Sequence, residues 1–120
     1  MTQHWSDYWE QGYVTSFGSE LTQNYQGELK NIWESFATKL PANFEVLDLC
    51  TGNASLPLLI QDCLSENELN GHITAVDLAH VKLDEKRHKN SKIHIELISG
   101  VNCEALPFES GRFDFCISQF

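Results

Sequence analysis

Residues 25–40, YQGELKNIWESFATKL, place Leu29, Ile32, Trp33, Phe36 and Leu40 at i, i+3, i+4, i+7 and i+11. That spacing draws one apolar stripe along an amphipathic helix, and Pro41 ends it. The period then changes. FEVLDLC, residues 44–50, is a short continuous apolar run suited to a buried strand, and TGN behind it is a turn. ASLPLLIQDCLSENEL, residues 54–69, predicts a helix with Pro57 early enough to be tolerated in its first turn. Asn70-Gly71 signals another turn, and HITAVD, residues 72–77, a second buried strand. From Ala79 to about Lys89 the chain is charge-rich and expected to be helical. KIHIELIS, residues 92–99, alternates Ile93, Ile95 and Leu97 with polar residues, as a third strand does. A loop with Pro107 and Gly111 leads into FDFCISQF, residues 113–120, the fourth. Ahead of all these, residues 1–20 form an arm bearing Trp5, Tyr8, Trp9, Tyr13 and Phe17.

Strands alternating with helices imply a parallel sheet with helices packed on its faces. The expected fold is therefore α/β: a Rossmann-like doubly wound parallel sheet, truncated after the fourth strand, with an N-terminal helical arm. Residues 1–41 are the aromatic arm and amphipathic helix. Residues 42–120 are a ligand-binding half-domain. A final strand exposing Phe115, Ile117 and Phe120 is a sticky edge, so a truncated domain that forms homo-oligomers through that edge is expected.

The charge balance narrows the partners. Eight basic against 17 acidic residues give −9, which argues against a nucleic-acid binder and against docking on an anionic membrane. The longest apolar run, Leu56 to Ile60, is far short of the ~18 residues that span a bilayer. MTQHWSDYWE lacks the basic start and apolar core of an export signal. Cys50, Cys63, Cys103 and Cys116 make no CxxC pair, so free thiols in a reducing cytoplasm are expected. Of the histidines only His80 and His88 could share a helix face, without an acidic neighbour at ligand spacing, so no metal site is expected. Lys82, Lys86, Arg87, Lys89 and Lys92 interleave with Asp84 and Glu85 and read as a solvated helix face.

Three segments carry candidate chemistry. In VLDLCTGNAS, residues 46–55, a small-residue turn after a strand lets backbone approach a ligand, and the next helix offers free N–H donors. Asp48, near the strand end, could accept from a cationic group. Asp77 closes the second strand, where an acid can take both hydroxyls of a ribose; it serves equally well as the N-cap of a following helix. In NCEALPFESGRFDFCIS, Asn102 has an amide suited to the edge of a base, and taken alone it reads more readily as an asparagine stabilising its own turn.

Taken in order, the three segments resemble the class I S-adenosylmethionine-dependent methyltransferases over residues 44–120. VLDLCTGNAS matches that family's first motif, Asp77 in ITAVDLA the second, and NCEALPFESGRFDFCISQF the region of its fourth strand. Cys50 and Ala54 stand where the family most often has glycine, and Asn102 where it more often has an acid. The resemblance implies S-adenosylmethionine as cofactor. Asp48, Thr51 and Gly52 would surround its methionine part, with Cys50 beside them. Asp77 would bind the ribose, Leu78 would pack on the adenine, Asn102 and the Cys103 N–H would meet the adenine edge, and Ser118 would lie near the methionine end. It also suggests that Tyr13 and Phe17 fold over the cofactor, against the plainer reading that they pack on the sheet. The expected reaction is methyl transfer to a small-molecule acceptor, with no catalytic base assignable. The alternatives are a nicotinamide-dependent oxidoreductase, which also ends its second strand in an acid but needs a G-x-G-x-x-G turn that this chain lacks, and a catalytically inactive fragment that associates through its open sheet edge.

Overall fold

The computed structural model describes residues 2–15, 24–87 and 92–119. Its elements are α1 (Thr2–Glu10), α2 (Gly27–Thr38), β1 (Phe44–Leu49), α3 (Ser55–Cys63), β2 (Gly71–Asp77), β3 (Ile93–Ser99) and β4 (Phe115–Ile117). The four strands form one sheet in the order β3-β2-β1-β4, and every pairing is parallel. This is the Rossmann-like α/β arrangement that the alternation of patterns predicts.

Each face of β1 is covered, which is why apolar residues fall on both of them. On one face Phe44 and Val46, with Ile73, Ile93 and Ile117, pack on Ala37 and Leu40 at the end of α2 and on Leu56, Leu59, Ile60 and Leu64 of the α3 region. Leu29, Trp33 and Phe36 of the α2 stripe pack against this core with Leu40, whereas Ile32, expected on the same face, is 59% exposed. Gly71 permits this packing: a Cβ there would stand 2.1 Å from the Phe44 ring. On the other face Leu47 and Val76 meet Val101, and the loop after β3 adds Leu106, Phe108 and Phe113. The Arg112 guanidinium lies 5.0 Å from the Phe108 ring centre and 4.9 Å from that of Phe113, a cation–π clasp on this loop. Asp114 then fastens the chain to β1. Its Oδ2 accepts the Glu45 N–H at 2.9 Å, and its own N–H donates to the Glu45 carbonyl at 2.7 Å. The LPF and F-D segments are thereby structural: they cover the sheet and start β4.

Three boundaries differ from the sequence reading. The third helix stops at Cys63 and the fourth strand is only three residues long. The larger difference is that residues 79–87 contain no helix. Three successive N–H groups are taken by side chains from elsewhere: His80 by Ser6 Oγ at 2.9 Å, Val81 by Ser99 Oγ at 3.0 Å and Lys82 by Asn53 Oδ1 at 3.1 Å. A segment whose donors are spent on tertiary partners gains nothing by coiling.

Helix α1 packs against that segment. Trp9 is buried with Ala79 and Val81, and Trp5, Tyr8, Tyr13 and Leu97 close around them. Trp5 and Trp9 stack at 6.1 Å between ring centres, and Tyr8 meets Trp9 edge-on at 4.7 Å, the geometries aromatic pairs prefer.

Candidate functional site

The carboxyl ends of the parallel strands are where open α/β sheets bind ligands, and the candidate residues gather there. The turn after β1 is wound left-handed at alternate positions: φ is +55° at Cys50, +60° at Gly52 and +66° at Ala54. Cys50 and Ala54 hold the backbone that glycine would adopt freely, at roughly 1–2 kcal/mol each. The turn is held to β2. Thr51 N–H donates to the Val76 carbonyl at 3.0 Å, and Gly52 N–H to Asp77 Oδ2 at 2.9 Å.

Asp77 uses its other oxygen on its own loop: Oδ1 accepts the Ala79 N–H at 3.0 Å. No helix follows for it to cap. The carboxylate is fixed by one bond per oxygen, and the second lone pair of each remains for a ligand. Leu78, beside it, is 51% exposed, an apolar surface that a flat ring would cover.

Asp48 is buried beneath the turn at 1% exposure. Its Oδ2 accepts the Thr51 hydroxyl at 2.6 Å, whereas Oδ1 is buried with no hydrogen-bond partner among the described residues. Burial, and then the charge of Asp77, push its pKa up to about 7, against the Thr51 bond, which lowers it. A buried acceptor without a donor is costly, and a cationic or N–H-bearing group would satisfy it. Tyr25, whose hydroxyl bonds the Ser55 side chain and faces the Asp48 charge, is also raised, chiefly by burial. The Cys50 thiol is pushed up by burial and by Asp77, with Cys103 adding to the effect; the nearby helix N-terminus does not activate it.

A cavity of about 200 Å³ joins these parts, lined by Cys50, Thr51, Asp77 and Leu78 on one side and by Trp5, Trp9, Tyr25, Ser55 and Gln119 on the other. Of the second group only Ser55 lies in a segment that the sequence singles out for a ligand, and Trp5 and Trp9 read there simply as part of the arm. The signal was available in the i, i+4 spacing of Trp5 and Trp9, but nothing in the spacing said which surface that face would meet. Of the two arm residues considered, Tyr13 packs with Tyr8 at 4.9 Å outside the cavity, and Phe17 lies outside the described residues. Asn53 holds the arm in place. Its Nδ2 donates to the carbonyls of Trp9 at 2.8 Å and Tyr13 at 2.7 Å, while Oδ1 takes the Lys82 N–H.

The other predicted positions do not line this cavity. Asn102 Oδ1 accepts the Glu104 N–H at 2.9 Å, so the turn-stabilising role is filled, and its amide N–H groups remain for a base edge. Cys103 follows in the same turn, free and exposed. Ser118 Oγ donates to the Leu49 carbonyl at 3.0 Å, which places β4's end beside the β1 turn. Its neighbour Gln119 is tied by Trp33 Nε1–H donating to Oε1 at 3.1 Å. Among the described residues no group of three or more His, Cys, Asp or Glu is placed to hold a metal ion, and no helix is long and apolar enough to cross a membrane.

The donor and acceptor set fits S-adenosylmethionine: an anchored carboxylate suited to a ribose and an apolar flank suited to an adenine line the cavity, and an unsatisfied buried oxygen lies beneath the turn. No curated protein and no solved structure matches the chain. The ubiE/COQ5 methyltransferase family model matches residues 20–120, and on that match the chain belongs to this family of class I methyltransferases, whose members use S-adenosylmethionine.

Proposed function

We propose that the chain transfers a methyl group from S-adenosylmethionine to a small-molecule acceptor lying against the Trp5, Trp9 and Tyr25 side of the cavity. The observation that carries this reading is the meeting, in one cavity, of Asp77, Leu78, Thr51 and an aromatic wall, with Asp48 buried beneath the turn and bonded to Thr51. The cofactor supplies an already activated methyl group on a sulfonium. The protein's part is to position and to exclude water. Asp77 holds the ribose hydroxyls, Leu78 the adenine face, and Asn102 and the Cys103 N–H the adenine edge. Asp48 Oδ1 takes the cationic end, with Thr51, Gly52, Cys50 and Ser118 around the methionine chain. Helix α1 roofs the site. The net charge of −9 disfavours a nucleic-acid acceptor. Four free cysteines suit the reducing cytoplasm.

The outer edge of β4 has no backbone partner among the described residues, and Phe115 beside it is 39% exposed. Both support self-association of the 120-residue chain along that edge.

The test is a thermal-shift titration with S-adenosylhomocysteine, with NAD in parallel, followed by transfer of labelled methyl into small-molecule and macromolecular fractions. A midpoint raised by S-adenosylhomocysteine alone is expected, by ~2.7 kcal/mol of stabilisation at a hundredfold excess over its Kd. A shift with NAD alone sinks the reading, label found in macromolecules sinks the small-molecule acceptor, and a monomer by light scattering sinks the edge association.

A further inference from the structure

Two hydrogen bonds fix the residues that follow β4. Ser118 Oγ donates to the Leu49 carbonyl at 3.0 Å, which lays the end of β4 beside the end of β1. Gln119 is reached from α2: the Trp33 Nε1–H donates to its Oε1 at 3.1 Å. An indole N–H can only donate, so the atom it meets must be the amide oxygen, and the orientation of the amide is settled. Nε2, with two N–H donors, is the branch that Trp33 does not engage. No other hydrogen bond holds this side chain among the described residues. Gln119 lines the cavity, whereas Trp33 does not.

The same cavity is poor in partners for an anion. Among the described residues no lysine, arginine or histidine lines it. Asp77 contributes a carboxylate to its wall, and Asp48 lies buried beneath the turn. The Thr51 hydroxyl is already spent on Asp48 Oδ2 at 2.6 Å. A ligand carboxylate entering beside these acids must be met by N–H or O–H donors, since a charge taken from water without them is costly. An amide with both N–H groups uncommitted supplies a charge-assisted hydrogen bond there.

We propose that Gln119, oriented by Trp33, donates an Nε2 N–H to the methionine carboxylate of S-adenosylmethionine. The proposal rests on the reading of this cavity as the cofactor site. In that reading ribose and adenine go to Asp77 and Leu78 at the end of β2, and the methionine chain runs toward the ends of β1 and β4. Asp48 answers its cationic part, and Gln119 answers its carboxylate. Gln119 touches the ligand. Trp33 acts only through Gln119 and is a positioning residue: it holds the amide oxygen, so that the amide presents donors and not an acceptor.

Calorimetry on the whole chain tests this with two ligands, S-adenosylmethionine and decarboxylated S-adenosylmethionine. The second keeps the adenine, ribose, sulfonium and ammonium and lacks only the carboxylate. Gln119→Leu keeps most of the bulk and removes both donors. It is expected to weaken S-adenosylmethionine about tenfold and to leave the decarboxylated ligand unchanged, which also shows that the site is still folded. Gln119→Glu keeps an oxygen for the Trp33 indole and sets a negative charge where the donors were. It should weaken S-adenosylmethionine at least as much as Leu does, and bind the decarboxylated ligand no worse than the parent. Trp33→Phe keeps a ring beside Phe36, which Trp33 meets edge-on at 5.8 Å, and lets the amide turn. Its loss should be smaller, about threefold, and confined to S-adenosylmethionine. Unchanged S-adenosylmethionine binding in Gln119→Leu overturns the proposal, and so does a loss of equal size for both ligands. Unchanged binding of both ligands in Trp33→Phe overturns the positioning role alone. A parent chain that binds neither ligand removes the cofactor reading, and the proposal with it.

Discussion

A Cβ on Gly52 would stand 2.5 Å from the Trp9 indole. The glycine of the β1 turn therefore makes room for a protein side chain on α1, and Trp9 rests directly on backbone that also faces the cavity. Position 52 has φ +60°, so a side chain there is strained and obstructed at once. Gly52→Ala should cost about 2–4 kcal/mol, lift α1 and shift tryptophan emission to the red. Urea unfolding followed by fluorescence checks both. Unchanged emission with lost ligand binding would mean that this glycine serves the ligand alone.

Asn53 spends three hydrogen bonds joining α1, the β1 turn and the 79–82 segment. Asn53→Ala leaves two carbonyls and one N–H to find other partners, at about 2–4 kcal/mol in total. Asn53→Asp keeps the Lys82 bond but sets a buried carboxylate oxygen against the Trp9 and Tyr13 carbonyls. It should fall below Ala in denaturation midpoint at neutral pH and free the arm at least as much, read as tryptophan quenching by acrylamide.

The raised pKa of Asp48 has a sign that can be checked. Its folded value is about 7 against an ordinary 3.8, so the fold prefers the neutral acid. Its contribution to stability is complete below about pH 4 and is lost as pH rises through 7. Asp48→Asn removes that titration. The variant should melt higher than the parent at pH 8, by up to about 4 kcal/mol, and the advantage should close toward pH 4. A pH-independent difference would show that the group does not titrate in this window. The same variant should bind S-adenosylhomocysteine more weakly at pH 8, since the buried charge is lost.

Asp77→Asn keeps the size and one acceptor of the side chain. It surrenders either the Gly52 or the Ala79 bond, and with it the charged acceptor for ribose. Calorimetry should show S-adenosylhomocysteine binding weakened by about 10- to 100-fold, the worth of a hydrogen bond to a charged group.

The sheet was legible because β1 to β3 announce themselves locally: FEVLDL and HITAVD are short runs of mainly apolar and β-branched residues, and IHIELIS alternates. The acids at the strand ends were legible for the same reason, since strand period and the turn behind it fix where Asp48 and Asp77 lie. What could not be read was anything settled by distant partners. Residues 79–87 have helical composition but give their donors to Ser6, Ser99 and Asn53. The tryptophans of α1 look like any apolar pair until Asn53 turns them onto the cavity.

The order β3-β2-β1-β4 has a consequence for the chain as it is made. β1 meets β2 through pairs such as Val46 with Ile73, but its other edge waits for Phe115, Cys116 and Ile117. A nascent chain leaving the ribosome can zip β1, β2 and β3 while that central edge stands open, with Val46 and Leu47 covered from one side only. Closing the longer loop adds little entropy cost, yet it delays the last pairing until nearly the whole segment has emerged. During that interval the middle of the future sheet is its most vulnerable border, open to mispairing with any extended strand and available to a chaperone.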